Sequence, residues 1–121
     1  MPELPIIKMT WDQHVINQDV YAAFQQINNL LNASPTTMFV MVDIRTNPSF
    51  PITATLDGAL NGPYRNSQLK DWLIVGINPI AQMLEKIMAS ATGRRNVRWF
   101  ENEQEALAFV MASEPHLTDT I

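Results

Sequence analysis

The spacing of apolar positions changes repeatedly along this chain, and each change marks a new element. From Ile6 to Trp11 a short apolar-rich run is interrupted by Lys8 and Thr10, which suits a partly exposed strand. After Asn17, a suitable N-cap with Asp19 in the first turn, Val20, Phe24, Ile27 and Leu31 recur at steps of four, three and four. That is one face of a helix. Gln25, Gln26, Asn28 and Asn29 occupy its other side, and the helix is expected to stop between Asn32 and Pro35, because Pro35 disfavours helical geometry at Ser34. Met38 to Ile44 is nearly continuous in apolar side chains, the pattern of a strand covered on both faces in a parallel sheet.

The second half repeats the alternation. Ile52, Leu56, Ala59 and Leu60 share a helical face, and Gly62-Pro63 ends that element. Trp72 to Ile77 reads as a second buried strand. Asn78-Pro79 follows at once, pairing a capping acceptor with a residue whose φ is preset for the first helical position. Ile80, Met83, Leu84, Ile87 and Ala91 lie on one face of the helix that follows, with Gly93 as its stop. Val97 to Phe100 is a short strand. Asn102 with Glu105 three positions later has the form of a capping box, and Ala106, Leu107, Val110 and Met111 form the apolar side of a last helix.

Strand therefore precedes helix four times over, with connections short enough to lay each helix across a sheet face. The expected class is α/β. At 121 residues the chain fits one domain spanning 1–121, with nothing that marks a linker.

Composition narrows what such a domain does. A net charge of -4 argues against a broad electrostatic grip on nucleic acid, and no nucleic-acid partner is expected. With no cysteine, disulfides, thiolate metal sites and a cysteine nucleophile are excluded. No segment approaches the roughly 20 apolar residues that span a bilayer, and the first residues lack a signal-peptide pattern. A cytoplasmic protein without an integral membrane segment is expected.

Candidate chemistry gathers at a few positions. Asp43 closes the Met38 to Ile44 strand, where open α/β sheets place ligand and catalytic groups. Asp12 ends the first strand and would be its nearest carboxylate, but two carboxylates make a sparse site for a hard cation. The simpler role for Asp43 is bonding to backbone N–H groups of the loop that follows. Thr46, Ser49, Thr53 and Thr55 set hydroxyls near a helix start, suited to capping or to a phosphate stabilised by the helix dipole. Gly76 lies outside any phosphate-binding glycine motif and suits close backbone packing. His14 and His116 have no ligand-spaced companion, so no metal or other cofactor is expected. A Gly-x-Ser-x-Gly elbow is absent as well. Arg94, Arg95 and Arg98 are the one basic cluster, suited to a helix carbonyl end or to an anionic ligand. Trp11, Trp72 and Trp99 fall on or beside predicted strands and read as core or interface.

Val40-Met41-Val42-Asp43-Ile44-Arg45, Trp72-Leu73-Ile74-Val75-Gly76-Ile77-Asn78-Pro79 and Val97-Arg98-Trp99-Phe100 with Glu105-Ala106-Leu107-Ala108-Phe109 together resemble the bacterial STAS-like (SpoIIAA-like) family. That family comprises relatives of anti-sigma factor antagonists and, more distantly, of SEC14-type lipid-binding domains. The resemblance implies four helices beside a mixed, largely parallel sheet of about four strands, and a non-enzymatic regulatory or protein-interaction role. Well-characterised antagonists carry an Asp-Ser or Asp-Thr followed by Gly-Leu where this chain reads Ser49-Phe50-Pro51-Ile52-Thr53. Asp43, Ser49 and Thr53 therefore mark the expected interaction or regulatory loop. Such domains often open with two antiparallel strands, whereas one is available here. An unpaired edge is implied, and with it a homodimer. The distant kinship implies a second role, carriage of a small apolar or anionic, lipid-like ligand.

Overall fold

The computed structural model describes residues 4–49, 51–93 and 96–113. Strands β1 (Ile6–Thr10), β2 (Met38–Asp43), β3 (Leu69–Val75) and β4 (Val97–Phe100) alternate with helices α1 (Asn17–Ala33), α2 (Ile52–Leu60), α3 (Pro79–Thr92) and α4 (Glu103–Ser113). The sheet order is β1-β2-β3-β4, and all three pairings are parallel. The α/β alternation expected from the apolar spacing is what forms.

Local signals account for most boundaries. The Asp19 carboxylate accepts the Ile16 N–H at 3.1 Å, so the N-cap of α1 is Ile16, one residue before the anticipated Asn17, and the helix begins at Asn17 itself. Asn78 Oδ1 accepts the Ala81 N–H at 3.0 Å with Pro79 as the first residue of α3, and Gly93 closes that helix at φ 74°. Asn102 Oδ1 accepts the Glu105 N–H at 2.9 Å, while Glu105 Oε2 accepts the N–H of Glu101, so the side chains at both ends of this turn cap α4. One boundary moves. β3 begins at Leu69 and ends at Val75, because Gly76 turns away at φ 118°, which leaves Ile77 outside the strand and 69% exposed.

The two faces of the sheet carry separate cores. Val40, Val42, Trp72 and Ile74 point to one side, where α1, α2 and α3 bring Phe24, Ile27, Leu31, Ala54, Ala59 and Leu84. Phe39, Met41, Leu73 and Val75 point to the other and meet Ala106 and Val110 of α4. The long apolar run of β2 thus has the expected cause, since each successive side chain reaches a covered face. At the opposite end of the sheet, Asn66 Nδ2 donates to Asn28 and Asn32 Oδ1 at 2.7 and 2.9 Å. These bonds tie α1 to the turn at Pro63–Arg65.

α2 packs by small residues. The anticipated inward face was Ile52, Leu56, Ala59 and Leu60, but Ala54, Thr55 and Ala59 are buried, and Ile52 is exposed. The reason is Phe24, whose ring stands edge-on between Trp11 and Trp72 and reaches the backbone of Gly58. Between α2 and the sheet the small side chains fill the space incompletely. A cavity of about 60 Å³ remains, lined by Val42, Ile44, Thr55, Ile74, Ala81 and Leu84 among others. Thr55 is 8% exposed, and its Oγ1 has no hydrogen-bond partner among the described residues. A buried hydroxyl left in that state costs about 1–3 kcal/mol.

Gly58→Ala tests the α1–α2 contact. A Cβ there would lie 2.7 Å from Phe24 Cδ2. Helix propensity would favour alanine by about 1 kcal/mol, but overpacking a ring clamped by two indoles costs about 1–3 kcal/mol. A net destabilisation of about 1 kcal/mol is expected, lowering the Tm by about 3–6 °C in a thermal melt.

Candidate functional site

Because every pairing is parallel, the carboxyl ends of all four strands meet at one sheet edge, the usual place for function in open α/β folds. Asp43 stands there, between Thr10 and Val75 in register. Its Oδ1 accepts the backbone N–H and the Nε–H of Arg45, both at 3.0 Å, and its Oδ2 accepts Nη2 at 2.6 Å. The carboxylate is therefore a two-oxygen anchor for the chain reversal after β2, with both oxygens engaged. Those side-chain bonds from Arg45 hold its pKa below the ordinary carboxylate value. The Arg45 backbone N–H and the charges of Arg45 and Lys8 add to the shift, and partial burial opposes it. Lys8 also ion-pairs with Glu103 at the start of α4, so charges of alternating sign run across this edge. Both partners of that pair are well exposed, and it contributes little to stability.

The loop after Asp43 is bonded on two sides. The Thr46 hydroxyl donates to the Trp11 carbonyl at 2.6 Å, and the Ser49 N–H donates to the Gln13 carbonyl at 3.2 Å. Both contacts hold it to the segment after β1. Asn47 takes a left-handed conformation at φ 55°, which asparagine tolerates better than most residues. Its Oδ1, together with the Pro48 carbonyl, accepts from Nδ2 of Asn78 at 3.1 and 3.0 Å. Asn78 is only 3% exposed, so a single buried amide caps α3 through its oxygen and latches the loop through its nitrogen. Gly76 lies against the same turn. A Cβ there would sit 3.2 Å from the backbone of Ile44 and Arg45, and its φ of 118° is a conformation that side chains disfavour.

This arrangement displays Ser49 and Thr53 to solvent, and Ile77, which follows β3 at the same sheet edge, is exposed as well. The expected loop residues are thus gathered at one edge, with Asp43 as an anchor beneath them. Sequence reasoning missed the second bond set of Asn78 and the exposure of Ile77; Gly76 was the available signal that the strand ends early. Asp12 and His14 are exposed at the same edge. Among the described residues no group of three or more His, Cys, Asp or Glu side chains comes together where a metal ion could sit. Of the basic cluster, Arg94 and Arg95 lie outside the described residues. Arg98 is exposed, with its guanidinium 5.8 Å from the centre of the Phe109 ring. No described helix is long and apolar enough to cross a membrane. Comparisons with models of known protein families, with curated proteins and with solved structures give no match.

The Asp43 anchor is testable by pH. A folded-state pKa below the unfolded value stabilises the protein fully above about pH 5, and the benefit is lost as pH falls through the folded value. Asp43→Asn should therefore lower the urea midpoint at pH 7 and leave a smaller difference from wild type at pH 2.5. Equal differences at the two pH values would show that the charge of Asp43 contributes nothing.

Proposed function

We propose that this chain is a non-enzymatic, STAS-like regulatory or protein-interaction domain, working in the cytoplasm and recognising its partner through the carboxyl edge of the sheet. One observation carries the reading. The β2–α2 loop is held from both sides by buried or backbone groups, while Ser49, Thr53 at the start of α2, and Ile77 after β3 are exposed. A preorganised loop loses little conformational entropy when a partner docks, which is how rigid scaffolds make loops into recognition surfaces. An isoleucine exposed at the same carboxyl edge has the character of an anchor residue. Ser49 and Thr53 supply hydroxyls whose phosphorylation would add close to two negative charges to that edge.

The same reading includes association of two copies. β1 pairs only with β2 among the described residues, and an open strand edge favours pairing with another chain.

Affinity capture with wild-type protein should retain a specific protein partner from its native lysate, and Ile77→Asp should reduce that capture at least ten-fold without lowering the Tm. Retention of the same proteins by both, or of none by wild type, contradicts the proposal. Light scattering should give twice the monomer mass at high concentration; a concentration-independent monomer mass would remove the homodimer.

A further inference from the structure

We propose that the crevice between the carboxyl ends of β3 and β4 binds a small organic cation, an ammonium or guanidinium group on a short apolar arm. Topology makes this crevice. Strands β1, β2 and β3 send α1, α2 and α3 to one face of the sheet, whereas α4, which follows β4, covers the other. Among the described strands, β3 and β4 are therefore the adjacent pair whose chains part to opposite faces, and open α/β sheets bind ligands where that happens. The two strand ends are tied together. The Gly76 N–H donates to the Phe100 carbonyl at 2.9 Å, and from there Gly76 turns toward α3 at φ 118° while Glu101 leads to α4. The space between the diverging chains is about 450 Å³, within the roughly 300–1,000 Å³ of small-molecule sites.

The lining sets the charge of the guest. Glu101 and Glu105 contribute two carboxylates, the one amide, Gln82, is neutral, and no cationic side chain among the described residues lines the space. Lys8 and Arg45 are paired with Glu103 and Asp43, and among the described residues no cation pairs with Glu101 or Glu105. The first turns of α3 and α4 border the crevice through Gln82 and Glu105, and a helix start favours anions. Each start carries only about half a positive charge, so two full carboxylates outweigh both together. A cation is favoured. Both glutamates are exposed, however, and an exposed ion pair is worth little by itself. The apolar arm of the ligand supplies the rest, against the Ile77, Trp99 and Phe100 walls. The Trp99 Nε1–H donates to Glu85 Oε2 at 3.0 Å, so that wall is already ordered before a guest arrives.

The test uses hexylammonium chloride as the probe, read by the backbone amide chemical shifts of the isotope-labelled chain. Titration should move the amides of Gly76, Ile77, Glu101 and Glu105 saturably. Hexanoate, with the same arm and the opposite charge, should bind about ten-fold more weakly or not at all. Ammonium chloride, with the charge and no arm, should bind about five-fold more weakly or not at all. In the double variant Glu101→Gln with Glu105→Gln, the glutamine at 105 keeps a side-chain oxygen for the Glu101 N–H. It should melt as wild type does and bind hexylammonium about five-fold more weakly. Glu101→Gln alone, whose side chain caps nothing among the described residues, should weaken binding about two-fold. No saturable response, or one centred away from these four amides, overturns the proposal. Equal affinity for hexylammonium and hexanoate overturns it, as does equal affinity of wild type and the double variant. Ammonium chloride binding as tightly as hexylammonium would mark a diffuse ion atmosphere in place of a site, and overturns it too. No protein partner takes part and Ile77 is unaltered throughout, so this crevice and the protein-docking surface stand or fall separately.

Discussion

The handedness of the strand–helix–strand crossover governs this structure. Right-handed connections between parallel strands laid down in sequential order put every connecting helix on the same face. With the order β1-β2-β3-β4, α1, α2 and α3 must all share one side, and only α4, which follows the last strand, is free to cover the other. That layer is crowded. Neighbouring strands lie about 4.8 Å apart, whereas packed helices need about 8–10 Å between axes. Four strands therefore offer a narrower floor than three full-sized helices require. The middle helix yields, being only nine residues long and turning alanine, threonine and glycine toward its neighbours. Its close approach to α1 at Phe24 and the incomplete filling beneath it follow from the same shortage of room.

This crowding also explains which features were legible in the sequence. The strand–helix alternation, the Asn78-Pro79 helix start, the Gly93 stop and the capping pair at Asn102 and Glu105 depend on local chemistry, and all of them form. The inward face of α2 depends on neighbours. Periodicity assumes that the largest apolar residues turn inward, and it chose Ile52 and Leu56. In the middle of a cramped layer the small residues turn in, and the larger ones are pushed to the flank. On α3, likewise, Ile80, Met83 and Ile87 fit an inward helical stripe by spacing, but α2 is too short and too slight to cover them.

At the carboxyl edge the sequence located the position but not the connections. Asp43 was recognisable as a strand-closing carboxylate, and its bond to the loop N–H at Arg45 is the expected local kind. The guanidinium returning onto the same carboxylate follows from the tight reversal after β2, which one-dimensional spacing does not record. Asn78 announced itself as a helix cap. Its other half, the amide nitrogen, serves a loop some thirty residues earlier, and only the adjacency of β2 and β3 brings the two together.

That adjacency gives Asn78 a chemical lifetime as well as a structural role. Asparagine ages chiefly when the backbone nitrogen of the next residue attacks the side-chain amide and expels ammonia, a step that needs an N–H. Pro79 has none, so the amide on which the loop depends is shielded from this loss by the same proline that starts the helix. Asn61, at the end of α2, precedes Gly62, whose bare backbone offers that attack the least obstruction, and among the described residues its side chain bonds Asp57 alone, one turn back. Slow chemical damage is thus kept away from the latch and meets less obstruction at the end of α2.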